Sequence, residues 1–133
     1  MEITGNYQTL AARANSAALM AHAPYSKFHV GAAVLCTNGQ IVTGSNIENA
    51  SYGLTVCAER VALFSAAHQG FKPVTLAVTC LDAGDDAPIE YRMPCGACRQ
   101  VMVEFMDMDS EIVIVGTNKV FRLVDLLPNA FKI

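Results

Sequence analysis

The sequence contains no tryptophan and little charge, since only 16% of its 133 residues are Asp, Glu, Lys or Arg. Lys and Arg number 9 against 12 Asp and Glu, and no basic run occurs. Tight binding of nucleic acid depends on a basic footprint, so nucleic acid is not an expected partner. Apolar residues make up 53% of the chain, which predicts either a richly packed small core or subunits that cover one another.

The sequence also lacks the patterns of a targeting signal and of a membrane-spanning segment. Met1 to Thr4 lacks the basic stretch followed by apolar residues that marks a secretory signal. No apolar run approaches the ~20 residues of a membrane span, so no membrane partner is expected. We therefore expect a cytoplasmic protein. Five cysteines in such a chain indicate thiol or metal chemistry, not a disulfide framework.

The apolar pattern predicts one compact α/β domain over residues 1–133. Apolar runs and helix signals alternate along the chain. The predicted strands are 30–36, 40–44, 74–81, 112–115 and 120–123; the predicted helices are about 6–21, 57–70 and 94–106, with a turn at 124–127. Asn38-Gly39 predicts a hairpin, and Thr4 or Asn6 a helix cap. Together they predict three layers, α/β/α, around a five-stranded mixed sheet that is mostly parallel.

Cys95 and Cys98 form a C-x-x-C pattern at a predicted helix start. Residues three apart on a helix share a face, so both sulfurs can point at one ion. Alone, the pattern also fits a redox pair or half of a structural zinc site. A redox pair usually follows the first strand of its fold, whereas this pair lies late in the chain.

Cys57 also stands at a predicted helix start, where the positive helix end favours a thiolate. Three thiolates leave a fourth position on zinc open for water, as in catalytic sites. Glu59, two residues further on, can take a proton from that water without being a ligand. Arg60 or Arg99 is a candidate to hydrogen-bond a sulfur and offset the thiolate charge.

The two remaining cysteines, Cys36 and Cys80, lie in apolar strand patterns and are predicted to be packing residues. Cys80 is also the candidate fourth sulfur of a structural Cys₄ site. A non-catalytic zinc module of that kind is the alternative class of function, and it predicts an idle Glu59.

Longer segments carry a resemblance to a known family. Zinc deaminases are described by an H-x-E…P-C-x-x-C signature with a Cys₃ variant, which Cys57-Ala58-Glu59 and Pro94 through Cys98 resemble. Nearly end to end and in matching order, the chain resembles the small homotetrameric cytidine deaminases. The segments concerned are APYSKFHVGA at 23–32, NIENA at 46–50, CAER at 57–60, PCGACRQ at 94–100, and LLP at 126–128 with Phe131.

The resemblance implies one Zn²⁺ per subunit and hydrolytic deamination of cytidine and 2′-deoxycytidine in pyrimidine salvage. Glu59 would carry the water's proton to N3 and then to the departing amine. The other implied roles concern substrate binding: Phe28 lines the base pocket, the Ala58 backbone reads the base edge, Asn46 and Glu48 bind the ribose 3′-hydroxyl, and Tyr52 and Phe131 lie at sites shared between subunits of a homotetramer.

One segment departs from the family pattern. Residues 82–93, here called the acidic loop, are longer and more acidic than the family leads us to expect. The simplest interpretation is a solvated surface loop. The nearest alternative function is a related deaminase acting on a modified cytidine or another aminopyrimidine nucleoside, which would differ at the ribose and exocyclic-group contacts.

Overall fold

The computed structural model describes residues 7–133. Each predicted helix and strand is present, the first strand with its predicted ends and the others with shifted ends. The helices are α1 Gln8–Ala18, α2 Ala58–His68, α3 Gly96–Phe105 and α4 Leu123–Leu126; the strands are β1 Val30–Cys36, β2 Ile41–Ser45, β3 Pro73–Cys80, β4 Glu111–Ile114 and β5 Lys119–Arg122. The predicted caps Thr4 and Asn6 lie outside the described residues. Within that range, no helix combines the length and apolar character of a membrane span.

The five strands form one sheet in the order β2-β1-β3-β4-β5, so the predicted mixed sheet is confirmed. The prediction that it is mostly parallel is wrong. Only β3 and β4 pair in parallel, whereas β1–β2, β1–β3 and β4–β5 are antiparallel. Strands β2 and β3, which α2 connects, do run in the same direction. They do not pair because β1 lies between them and is antiparallel to both.

Helices cover both faces of the sheet, which confirms the three-layer architecture. Alternate residues of each strand face opposite layers. Toward α1, the core contains Leu10, Ala14, Ala33, Ala77 and Val113. Toward α2 and α3, it contains Ala62, Leu63, Met102, Ala32, Val34, Leu76, Val78 and Ile112.

Two glycines in the hairpin bring the helices very close to the sheet. A Cβ on Gly31 would lie 2.1 Å from the carbonyl oxygen of Ala14 in α1. A Cβ on Gly44 would lie 2.5 Å from the amide nitrogen of Ala62 in α2. Backbone therefore packs directly on backbone on both faces. On the second face this contact fixes the position of α2, whose N-cap is Cys57.

Two predicted loops contain short 3₁₀ helices. Tyr52–Leu54 lies between the predicted strand 40–44 and the predicted helix 57–70, and Ile89–Arg92 lies near the end of the acidic loop. Each 3₁₀ helix thus closely precedes a cysteine that stands immediately before one of the longer helices.

Candidate active site

Two cysteines stand immediately before helices. Cys57 is the N-cap of α2 and Cys95 the N-cap of α3, both with extended backbone. Cys98 lies in the first turn of α3, and its amide donates to Cys95 Sγ at 3.5 Å. The unpaired N–H groups and positive end of each helix therefore lie close to the sulfurs, where they favour thiolates.

The three sulfurs form one compact group. Cys57 Sγ lies 3.9 Å from Cys95 Sγ, which lies 3.4 Å from Cys98 Sγ, and all three are within 4.8 Å of one another. Tetrahedral zinc–thiolate bonds of about 2.3 Å place sulfurs about 3.8 Å apart. The group therefore fits a zinc ion, and Cys80 is not part of it.

Arg60 is the basic residue that contacts this sulfur group. Its Nη2 donates to Cys57 Sγ at 3.4 Å. A hydrogen bond from Cys98, with smaller contributions from Arg60, lowers the pKa of Cys57 to about 5 against the effect of burial. The bond to Cys57 and burial raise the pKa of Cys98 instead. Of the two candidate arginines, Arg60 is thus the one placed to offset thiolate charge.

Arg99, the other candidate, serves the backbone. Its Nε donates to the carbonyl oxygen of Pro94 at 2.8 Å, and its Nη1 to that of Leu126 at 2.9 Å. These bonds tie the entrance of α3 to the end of α4. Arg99 therefore supports the C-x-x-C turn from outside the sulfur group.

Glu59 lies in the first turn of α2 with only 4% of its surface exposed. Burial, together with repulsion from Cys57, raises the pKa of its carboxyl to about 7. Such a carboxyl can both accept and release a proton near neutral pH, as a general acid–base requires. Its side chain lines a cavity of about 290 Å³ beside the sulfur group.

This Glu59 cavity contains most of the residues that the sequence predicted. The predicted residues in its lining are Phe28, Asn46, Glu48, Cys57, Ala58, Glu59 and Cys95. Sequence reasoning missed other lining residues, including Ser26, Thr55, Cys80, Tyr91, Arg92 and Met93. The sequence contained a signal for some of these residues. Arg92 and Met93 directly precede Pro94, and Cys80 stands at the carboxyl end of a strand, where α/β proteins place their ligands.

Cys80 therefore does more than fill the core. It is buried between strand and cavity, and burial raises its pKa to about 11. At neutral pH it presents an uncharged thiol to the cavity. The cavity wall at the end of β3 is thus apolar in character, which suits a flat heterocycle.

Asn46 is buried and holds the segment that carries Phe28. Its Oδ1 accepts from the amide of Val30 at 2.9 Å, and its Nδ2 donates to the carbonyl oxygen of Phe28 at 2.8 Å. One N–H of the side-chain amide is left for another partner. Asn46 thus fixes the Phe28 backbone and keeps one donor for a ligand.

Glu48 is held by three donors. Its Oε1 accepts from the amides of Tyr25 at 3.0 Å and Ser26 at 3.1 Å, while its Oε2 accepts from Ser26 Oγ. Ser26 Oγ in turn accepts from the amide of Phe28 at 3.0 Å. The hydrogen bond from the Ser26 side chain is the main cause that lowers the pKa of Glu48. The carboxylate is therefore ionised and fixed in orientation at the cavity wall.

Two predicted substrate residues lie away from the Glu59 cavity. Tyr52 packs edge-to-face on Tyr25, with ring centroids 5.9 Å apart, and lines an adjoining cavity of about 360 Å³ that shares Ser26, Glu48 and Thr55 with the first. Phe131 is 71% exposed, and its carbonyl accepts from Gln100 on α3. The chain does not bring Phe131 to its own Glu59 cavity.

Comparison with known proteins agrees with this geometry. The family model for the cytidine and deoxycytidylate deaminase zinc-binding region matches residues 4–116. A cytidine deaminase of Halalkalibacterium halodurans is 45% identical over 114 residues, which are 84% of this chain and 83% of that protein. A cytidine deaminase of Mycobacterium tuberculosis is 44% identical over 126 residues, 95% and 90% of the two chains.

Solved structures give the same result for the fold. The crystal structure of cytidine deaminase from Burkholderia pseudomallei superposes with a TM-score of 0.82 at 42% identity, covering 97% of this chain and all of that one. The cysteine group, the buried glutamate and the fold thus occur together with extended sequence identity. The chain belongs to the cytidine and deoxycytidylate deaminase zinc-binding family.

Proposed function

We propose that residues 1–133 form a single catalytic domain that deaminates cytidine and 2′-deoxycytidine to the uridine nucleosides and ammonia with zinc. The observation that carries this proposal is the buried Glu59 beside three converging sulfurs, in a cavity that also presents Asn46 and Glu48. The curated relatives at 44–45% identity are cytidine deaminases, which supports the same reaction.

Glu59 moves the protons. Zinc held by Cys57, Cys95 and Cys98 would supply a hydroxide at neutral pH. The Glu59 carboxylate accepts a proton from water and delivers it to N3 of cytosine. It then accepts the proton of the hydroxyl group added at C4 and delivers that proton to the amine, which leaves as ammonia. Its pKa of about 7 suits both transfers, because neither protonation state is strongly favoured. Arg60 stabilises the thiolate of Cys57 throughout.

The substrate contacts divide between base and sugar. Phe28 lines the base pocket, and the Ala58 backbone at the start of α2 reads the base edge. The free N–H of Asn46 and the carboxylate of Glu48 bind the ribose 3′-hydroxyl as donor and acceptor. Because Glu48 is ionised, it would repel a phosphate there. We therefore favour a free nucleoside over a nucleotide.

The test is ultraviolet absorbance of the purified protein with cytidine, deoxycytidine and free cytosine, together with its zinc content. We expect one zinc per chain, loss of the cytosine absorbance with both nucleosides, and no turnover of the free base. Failure to turn over either nucleoside by the zinc-loaded protein would contradict the proposal. It would favour the alternative substrate, a modified cytidine or other aminopyrimidine nucleoside.

A structural zinc module is less well supported. It requires a fourth protein ligand, and the group found among residues 7–133 contains three cysteines. It also gives no reason to bury Glu59 beside them.

The location in the cytoplasm and the role in pyrimidine salvage stay predictions.

We further propose a homotetramer with shared active sites. Large apolar side chains are exposed on the chain, among them Tyr52, Leu54, Phe64 and Phe131. Such side chains are typical of surfaces covered by another subunit. Since Phe131 lies outside its own Glu59 cavity, its proposed substrate contact requires the cavity of a neighbour. Tyr52 is exposed and lines the adjoining cavity, so we propose that it too contacts a neighbouring subunit.

Sharing of sites predicts complementation between two impaired variants. F131A and E59Q chains, each weakly active alone, are expected to regain activity when co-expressed with different tags and purified as mixed oligomers. The reason is that some sites then combine an intact Glu59 with an intact Phe131. Activity of the mixture no greater than the sum of the separate variants, or full activity in proven monomers on dilution, would contradict shared sites.

A further inference from the structure

The acidic loop connects the two sides of the Glu59 cavity. It starts after β3, whose last residue, Cys80, lines the cavity, and it ends at Pro94, next to Cys95. Three consecutive residues near its end, Tyr91, Arg92 and Met93, also line the cavity. The loop is therefore part of the cavity wall, and its shape affects what the cavity can hold.

Arg92 is the buried residue of this loop that is charged. Only 7% of its surface is exposed, although arginine is almost never buried without partners. Its partners are not carboxylates, because Arg92 takes part in none of the ion pairs found among residues 7–133. Its role in the fold is thus to satisfy other polar groups.

Those groups lie at the start of the same loop. Arg92 Nη2 donates to the carbonyl oxygen of Ala83 at 3.1 Å and to that of Gly84 at 3.0 Å. The guanidinium therefore joins the end of the loop to its beginning. Hydrogen bonds from a charged donor are about twice as strong as neutral ones, which makes this cross-link the main polar connection across the loop.

The turn between β4 and β5 packs against the other side of the guanidinium. A Cβ on Gly116 would lie 2.7 Å from Arg92 Nη1, and Gly116 has φ +87°, where side chains are disfavoured. The guanidinium is therefore held between the loop start and a turn of the sheet. Such a site suits a flat arginine head and leaves no room for a side chain at Gly116.

The loop start is itself attached beside Phe28. Asp82 Oδ2 accepts from the amide of His29 at 2.6 Å and lies 2.7 Å from His29 Nδ1, and the amide of Leu81 donates to the carbonyl oxygen of His29 at 3.0 Å. Phe28 precedes His29. The cross-link through Arg92 thus connects the Phe28 side of the cavity with the Met93 side.

We propose that Arg92 is a positioning residue for substrate binding, which holds the acidic loop as one wall of the cavity through Tyr91 and Met93. This inference rests on the proposed function, since it assigns a determinant of nucleoside affinity to that site. The acidic side chains keep the outer surface solvated, while the buried arginine sets the inner surface. The sulfur group stands on the starts of α2 and α3, so we expect it to keep its zinc when the loop cross-link is lost.

The test compares R92M, R92K and the control R122M, an exposed arginine on β5 that lies near Asp125. For R92M we expect KM for cytidine to rise about tenfold, as loss of charged hydrogen bonds implies, and kcat to change by less than about threefold. R92K keeps a hydrogen-bond donor, so its KM should lie between those of wild type and R92M. R122M should have the KM of wild type. Zinc should stay at one per chain in all of them.

Hydrogen exchange gives a second readout that does not use activity. Amides of residues 83–91 should exchange faster in R92M, while those of β3 and β4 keep wild-type protection. A KM of R92M or R92K within twofold of wild type, or a rise that only follows loss of zinc, would overturn the inference. If wild type itself fails on cytidine, the proposed function fails, and unchanged exchange in the loop would separately remove the role of Arg92.

Discussion

Replacing Glu59 with glutamine is expected to lower kcat for cytidine by about 10³-fold, the scale of a positioned general acid–base. Glutamine keeps the size of the side chain but cannot carry a proton. Zinc content should stay at one per chain, because Glu59 is not among the three ligands. Steady-state absorbance kinetics and metal analysis on the same preparation measure both effects.

The glutamine variant is also expected to fold. Burial raises the pKa of Glu59 to about 7, so the folded chain binds this proton more tightly than the unfolded chain. The stability that this proton contributes is therefore lost as the pH rises from the ordinary carboxyl pKa of 4.5 through about 7, and a neutral amide avoids this loss. Asp125→Asn, the same chemical change at an exposed carboxylate, is the matched control. An E59Q protein with wild-type kcat would refute the assigned mechanism.

Replacing Cys57 with alanine is expected to abolish both zinc binding and activity. Loss of a residue that merely supports a ligand weakens metal binding by about 10–100-fold, so loss of one of three ligands should exceed the upper figure. Cys36→Ala is the matched control, because Cys36 is buried in β1 and outside the sulfur group. It should keep its zinc and its activity.

Cys80→Ala separates the catalytic site from a structural Cys₄ site. Cys80 lines the cavity outside the sulfur group, so its removal should leave zinc at one per chain. Zinc loss in this variant equal to that of C57A would indicate a fourth sulfur ligand. Retention of zinc and turnover by C57A would show that the metal site is elsewhere. Metal analysis after dialysis decides between these results.

The metal ligands could be predicted because the relevant rules are local. Cys95 and Cys98 share a helix face through their spacing, and Cys57 has the same helix-start signal. Their convergence follows from two helices that begin at the same edge of one sheet. The direction of strand pairing was harder to predict from the sequence. Alternation of helices and strands along the chain does not specify that β1 lies between β2 and β3 in the sheet.

Other parts of the site depend on contacts that no local pattern specifies. Arg92 is a charged residue in an acidic loop, and the sequence predicts a solvated side chain there. Its burial results from carbonyl groups eight and nine residues earlier and from Gly116 in a distant turn. Cys80 likewise gains its position on the cavity wall from the packing around the end of β3.

By itself the sequence determined that the three cysteines and Glu59 stand at or near the starts of helices. These placements depend on the spacing of a few residues and on helix capping. Only the tertiary structure decided the strand order, the double role of Asn46 toward Phe28 and the cavity, and the cross-link through Arg92. The physical reason is that hydrogen bonds and burial join residues far apart in the chain. Their partners are known only once the backbone has brought them within about 3 Å.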